Sequence, residues 1–155
     1  MLEILRTELK GVQQFIETLQ QEQVALTGAD IDALIPLSQS KSKQADALRL
    51  LAQQRSQLLG QAGLSSDRTG MDAWLAQQPP VKHQELKKLW DELLQAGRSA
   101  QRLNETNGKL IKIHLQHNQQ ALSTLANAAN SASVYGPDGQ HHAVIPSSGR
   151  TLGKV

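Results

Sequence analysis

The chain has 155 residues, a formal net charge of +2, no cysteine, and four aromatic residues: Phe15, Trp74, Trp90 and Tyr135. That length suits one domain with its own core, while the absence of thiols excludes a disulfide framework, a thiolate nucleophile and a cysteine-based zinc site. So few rings leave little for an aromatic-lined ligand pocket or a base-stacking platform. Lysine and arginine are interspersed with acids as far as Glu105, a solvated surface rather than a phosphate-binding stripe, so nucleic acid is not an expected partner.

Leu, Gln and Ala number 24, 20 and 17, whereas Val, Ile and Thr number only 6, 7 and 7. This bias toward unbranched helix formers predicts an all-α protein. The first residues carry Glu3 and Glu8 where a secretory leader needs positive charge, and no apolar run approaches the ~18 residues of a membrane span. A cytoplasmic location without membrane insertion is expected.

From Leu2 the apolar positions Leu2, Leu5, Leu9, Val12, Ile16, Leu19 and Leu26 alternate three- and four-residue steps, passing through Gln23. This is a coiled-coil stripe, widened by Ile4, Phe15 and Val24 into a face that can meet two partner helices. Thr27-Gly28 is read as its end, and Asp30 as the cap of the next helix.

The second segment repeats the rhythm through Leu34, Leu37, Lys41, Gln44, Leu48, Leu51, Arg55, Leu58 and Ala62. Pro36 cannot donate to the carbonyl of Asp32, so a kink or a separate short turn is expected before a main helix starting near Pro36. Lys41 and Arg55 lie on the seam, and their stems are expected to cover apolar surface while their charged heads reach water.

Gly60 to Gly70 reads as loop, followed by a short amphipathic piece, Met71 to Gln77, with Trp74 as its anchor on the bundle, and then by the Pro79-Pro80 stop. A last long helix is expected from about His83 to Val134. Its stripe runs Leu86, Leu89, Leu93, Ala96, Ala100, Leu103, Asn107, Leu110, His114 and crosses Gly97 and Gly108; it then shifts through Asn118 to Leu122, Leu125, Ala129 and Ala132, a stutter. Tyr135-Gly136-Pro137-Asp138-Gly139 is turn chemistry, and residues 136–155 are read as a flexible tail.

Little here suggests catalysis or cofactor binding. His114 and His117 are half of a metal site, but no Asp or Glu occurs between Glu105 and Asp138 to complete it. There is no glycine-rich phosphate loop and no local nucleophile–base arrangement. The expectation is a protein that is not an enzyme and uses no metal or cofactor.

Length carries the functional argument. At ~1.5 Å per residue the first two helices span roughly 39 Å each, whereas the last, with about 50 residues, spans roughly 75 Å. Its far half, from about His114, should therefore extend past its neighbours. From Gln116 to Val134 that half holds no Lys, Arg, Asp or Glu, and its apolar set is Ala121, Leu122, Leu125, Ala128, Ala129 and Ala132. A lone helix of this kind is marginal in water and suits a partner that covers it. The alternatives are a helix that folds back and a homodimer that pairs the two ends.

Three motifs, Leu103-Asn104-Glu105-Thr106-Asn107-Gly108-Lys109-Leu110, Asn118-Gln119-Gln120-Ala121-Leu122-Ser123-Thr124-Leu125 and Tyr135-Gly136-Pro137-Asp138-Gly139-Gln140, follow one another in an order that resembles the FlgN family of bacterial flagellar export chaperones. The placement of Lys41 and Arg55 in a Leu-rich stretch and the short basic tail fit the same resemblance. It implies an all-α fold, here an antiparallel coiled-coil-like helical bundle of three main helices with a long overhanging C-terminal helix. Residues 1–135 would form the chaperone domain. It implies binding of the hook-filament junction proteins FlgK and FlgL through the end of that helix, residues 116–134, with Asn118, Ala121, Leu122, Leu125, Ala128, Ala129 and Ala132 in contact. It also implies delivery to the type III export gate, with Tyr135 touching the gate component FlhA. A self-associating structural coiled-coil subunit is the alternative reading.

Overall fold

The computed structural model describes residues 1–134, with side-chain surroundings as far as Asn130. The expected tail 136–155 and Tyr135 lie outside the described residues. Four helices occur in order: α1 (Leu2–Thr27), α2 (Ile31–Gln61), α3 (Arg68–Ala76) and α4 (Pro80–Val134). No strand occurs among the described residues. The chain divides into a bundle unit, Met1–Lys112, and a second unit from Ile113 onward.

In the bundle unit α1 and α2 run antiparallel, since Glu8 meets Arg55 and Glu22 meets Lys41. α4 runs parallel to α1: Arg6 pairs with Glu85 at 2.7 Å, and Asn107 near the far end donates to the carbonyl of Leu19 at 2.8 Å. The heptad positions Leu5, Leu9, Val12 and Leu19 of α1 form one core with Leu59 of α2, Met71 and Leu75 of α3, and Leu86, Trp90, Leu93 and Ala100 of α4. The Leu48 side chain of α2 packs onto the α1 backbone at Gly11, where an added Cβ would stand 3.0 Å from it.

The α1 end follows its sequence signal with one displacement. Asp30 N–H donates to the Ala25 carbonyl at 2.9 Å and Ala29 N–H to the Leu26 carbonyl at 3.3 Å, the paired bonds of a Schellman turn. Its left-handed residue is Ala29, at φ 53°, rather than Gly28. The end of α2 repeats the motif with Gly63 at φ 71° and a Leu64 N–H to Leu59 carbonyl bond of 2.9 Å. Ala29→Gly should therefore stabilise the protein by about 0.5–1 kcal/mol, the relief of the left-handed Cβ strain less the entropy that glycine adds to the unfolded chain. A urea midpoint that falls instead would contradict this account.

Asp30 caps α2 as expected, its carboxylate accepting from Ala33 N–H at 3.1 Å. Pro36 neither breaks the helix nor delays its start: α2 is one helix from Ile31, with Pro36 inside it. One missing backbone bond is outweighed by what the first two turns gain, namely the cap and the half-buried Leu34 and Leu37.

α3 begins at Arg68, three residues before the expected start. The cause is an N-cap: Asp67 accepts from Gly70 N–H at 3.0 Å and from the Ser65 hydroxyl at 2.6 Å. Those two bonds, the Ser65 hydroxyl first, hold the Asp67 carboxyl below its ordinary value. Gly70 is required there, because a Cβ would fall 1.8 Å from the Ser65 carbonyl oxygen. Trp74 is only partly buried; the fully seated residues of this connector are Met71 and Leu75. α4 starts at Pro80, at the first helical position where a missing N–H costs nothing, and is one helix across Gly97 and Gly108.

Lys41 and Arg55 depart from the expectation that their heads reach water. Arg55 donates to both carboxylate oxygens of buried Glu8, at 3.0 and 3.3 Å, and its guanidinium lies 5.0 Å from the centre of the Trp90 ring. Lys41 pairs with buried Glu22, whose other oxygen accepts from the Asn107 side-chain amide at 2.8 Å. Two polar layers thus cross the bundle, each joining α1, α2 and α4. A carboxylate shielded from water requires a close cationic partner, which is why these stems turn inward. The sequence carries a matching signal: Glu8 and Glu22 stand fourteen residues apart on α1, as Lys41 and Arg55 do on α2.

Candidate partner-binding site

The unit from Ile113 onward contains the remainder of α4, to Val134. Every residue from Leu115 to Asn130 is exposed. Apolar side chains are among them: Leu115 is 55%, Leu122 65% and Leu125 67% exposed.

Their spacing makes them one surface. Leu115, Asn118, Leu122, Leu125 and Ala129 follow steps of three, four, three and four residues, so they line a single stripe, with Ala121 and Ala128 along one margin. Asn118, Ala121, Leu122, Leu125, Ala128 and Ala129, singled out from the sequence, all fall on this exposed face. Ala132 lies within α4, but its side chain is outside the described ones. Leu115 was missed because the stripe was traced through half-buried His114 to Asn118; restarting the count at Leu115 restores the heptad.

The chemistry of the stripe is uniform. No Lys, Arg, Asp or Glu lies between Gln116 and Val134, and the Thr124 hydroxyl is taken up by the Gln120 carbonyl at 2.9 Å. What remains for a partner is apolar contact with leucine and alanine, supplemented by glutamine and asparagine amides. Small residues also let another backbone approach closely. His114 and His117 belong to no cluster of three potential metal ligands among the described residues. No helix among the described residues is long and apolar enough to cross a membrane.

The sequence profile of the FlgN protein family matches residues 1–143. The chain belongs to the FlgN family. Among its relatives is a flagella synthesis protein FlgN of Yersinia enterocolitica, 39% identical over 54 residues, a stretch covering 35% of this chain and 36% of the Yersinia protein. A FlgN of Yersinia enterocolitica serotype O:8 matches to the same extent. The chain thus spans about a third of the length of the curated FlgN relatives it matches. A crystal structure of a Pseudomonas aeruginosa protein provisionally described as a flagella synthesis protein FlgN superposes with a TM-score of 0.65 at 24% identity, over 82% of this chain and 93% of that one. At that identity the likeness concerns the fold, and it places the helical bundle within the FlgN architecture.

Proposed function

We propose that this FlgN-family chain acts in flagellar assembly as a cytoplasmic export chaperone, capturing FlgK and FlgL and delivering them to the type III export gate. The observation that carries the reading is the exposed, charge-free heptad stripe from Leu115 to Ala129. A surface that offers leucines without counter-charges binds by desolvation, and it suits the apolar face of an otherwise unstructured segment. Covering about 300 Å² of it would contribute about 7 kcal/mol gross, of which ordering the partner takes back about 2–5 kcal/mol. Useful affinity therefore requires a partner that wraps beyond the stripe. The names of the Yersinia and Pseudomonas relatives support the flagellar setting. FlgN is a family of binding proteins rather than of enzymes, and we read this chain as using no cofactor.

Truncation after Asn118 removes most of the stripe and leaves the bundle residues in place. It should abolish co-purification with FlgK and FlgL while far-UV circular dichroism retains the signal of α1 to α3 and the rest of α4. Undiminished capture would refute the assignment. Tyr135 carries the proposed contact with FlhA, so Tyr135→Ala should weaken pull-down of FlhA at least tenfold and leave substrate capture intact. Equal loss of both would place Tyr135 within the substrate site instead.

A second reading rests on the same heptad: stripes of this spacing pair with copies of themselves. A mass by light scattering that stays dimeric on dilution and becomes monomeric in a stripe variant would favour a self-associating coiled-coil subunit over the chaperone.

A further inference from the structure

Of the six arginines among the described residues, four sit in ion pairs: Arg6 with Glu3 and Glu85, Arg49 with Asp46, Arg55 with Glu8, and Arg68 with Asp72. The two without one are Arg98 and Arg102, exposed and one turn apart on α4. Earlier on this helix two lysines have a carboxylate four residues on, Lys87 with Asp91 and Lys88 with Glu92. At Arg98 that position is taken by Arg102. Like charges at this spacing repel, and neither arginine has an ion-pair partner among the described residues.

Both unpaired arginines line one cleft with a third. Arg68, at the start of α3, faces Asp91, Leu94, Gln95, Arg98 and Arg102 of α4 across a cavity of about 480 Å³. The one carboxylate in that lining is already engaged by Lys87 at 3.1 Å, and the Arg68–Asp72 contact is long, at 3.6 Å, and exposed. Three guanidinium groups therefore surround a cleft with no free negative charge of its own. A planar guanidinium fork matches a carboxylate with two parallel hydrogen bonds.

We propose that this cleft is a docking site for an acidic peptide segment of a partner protein. Carboxylates one helical turn apart would engage Arg98 and Arg102, and a third would reach Arg68. Leu94, in the same lining, takes an apolar side chain of the same segment. The lining favours a peptide over nucleic acid, because it contains no ring on which a base could stack. The site belongs to the bundle unit and does not depend on the chaperone reading or on the stripe beyond Ile113.

The test uses the full chain and a dye-labelled synthetic peptide carrying Glu at one-turn spacing around a Leu, beside a twin with Gln for Glu, read by fluorescence anisotropy at low salt. The Glu peptide should bind at least tenfold more tightly than its twin, and its affinity should fall as salt rises. Arg98→Glu with Arg102→Glu should lower that affinity tenfold or more with unchanged circular dichroism, whereas Arg98→Lys with Arg102→Lys should give an intermediate loss. Leu122→Asp with Leu125→Asp should leave it unaltered. Equal binding of the twin, or full binding by the charge-reversed variant, would overturn the proposal. So would inorganic phosphate that alone reproduces the NMR shifts of the Arg98 and Arg102 side chains and blocks the peptide at equal concentration, which would make this a site for a free anion.

Discussion

Leu122→Asp combined with Leu125→Asp should reduce the proposed capture of FlgK and FlgL a hundredfold or more while leaving bundle stability within about 0.5 kcal/mol of the parent. Both leucines are about two-thirds exposed and make no part of the core, so the free protein loses little. The complex would have to bury two carboxylates in a stretch that offers no cation, and a hundredfold loss, about 2.7 kcal/mol, is a modest fraction of that desolvation cost. A control isolates the face from the charge. Gln116→Asp with Ser123→Asp adds the same two charges to the other side of the same helix, where both residues are also exposed, and should change capture less than threefold. Equal loss in the two double variants would mean that charge anywhere on this helix is harmful, and the stripe would lose its meaning as a surface. Because the stripe carries no charge, capture by the parent protein should also vary little with ionic strength.

The second large effect is on stability. Glu22→Ala should destabilise the bundle by about 3 kcal/mol, seen as a fall of more than 1 M in the urea midpoint. The Glu22 side chain is 5% exposed and serves two donors at once, the Lys41 ammonium and the Asn107 amide. Its removal leaves a cation that is three-quarters covered and a fully buried amide that keeps only the Leu19 carbonyl. Glu22→Gln retains an acceptor and should cost less, about 1–2 kcal/mol, from the uncompensated lysine. A midpoint that does not move in Glu22→Ala would show that this layer contributes nothing to folding.

Much of this is legible in the sequence. Periodicity located α1, α2 and the long α4, and the uncharged composition after Gln116 marked the exposed end. Capping chemistry is local, so Asp30 was readable. The equivalent role of Asp67 was not, because the sequence around it is rich in glycine and serine and looks like loop until Gly70 is seen packed against Ser65. Pro36 misled as a start signal for a related reason: the rule for a helix interior weighs one lost bond, whereas the burial that keeps α2 continuous through it comes from another helix. Lys41 and Arg55 were noticed, yet their carboxylates were not, since pairing across α1 and α2 depends on an alignment that neither helix specifies alone. Leu115 was lost to a count that ran one residue early.

The matched fourteen-residue intervals on α1 and α2 have a further consequence for how the two helices find each other. Leucine repeats by themselves are degenerate, and a hairpin built on them could close one heptad out of step with nearly the same apolar contact. Here such a slip in one direction sets Glu8 against Leu48 and Glu22 against Leu34; in the other it sets them against Ala62 and Leu48. Either way both acids are stranded on hydrocarbon, so the misaligned hairpin is penalised twice. The two carboxylates work as a pair of dowels, admitting one alignment of the hairpin and rejecting its nearest neighbours.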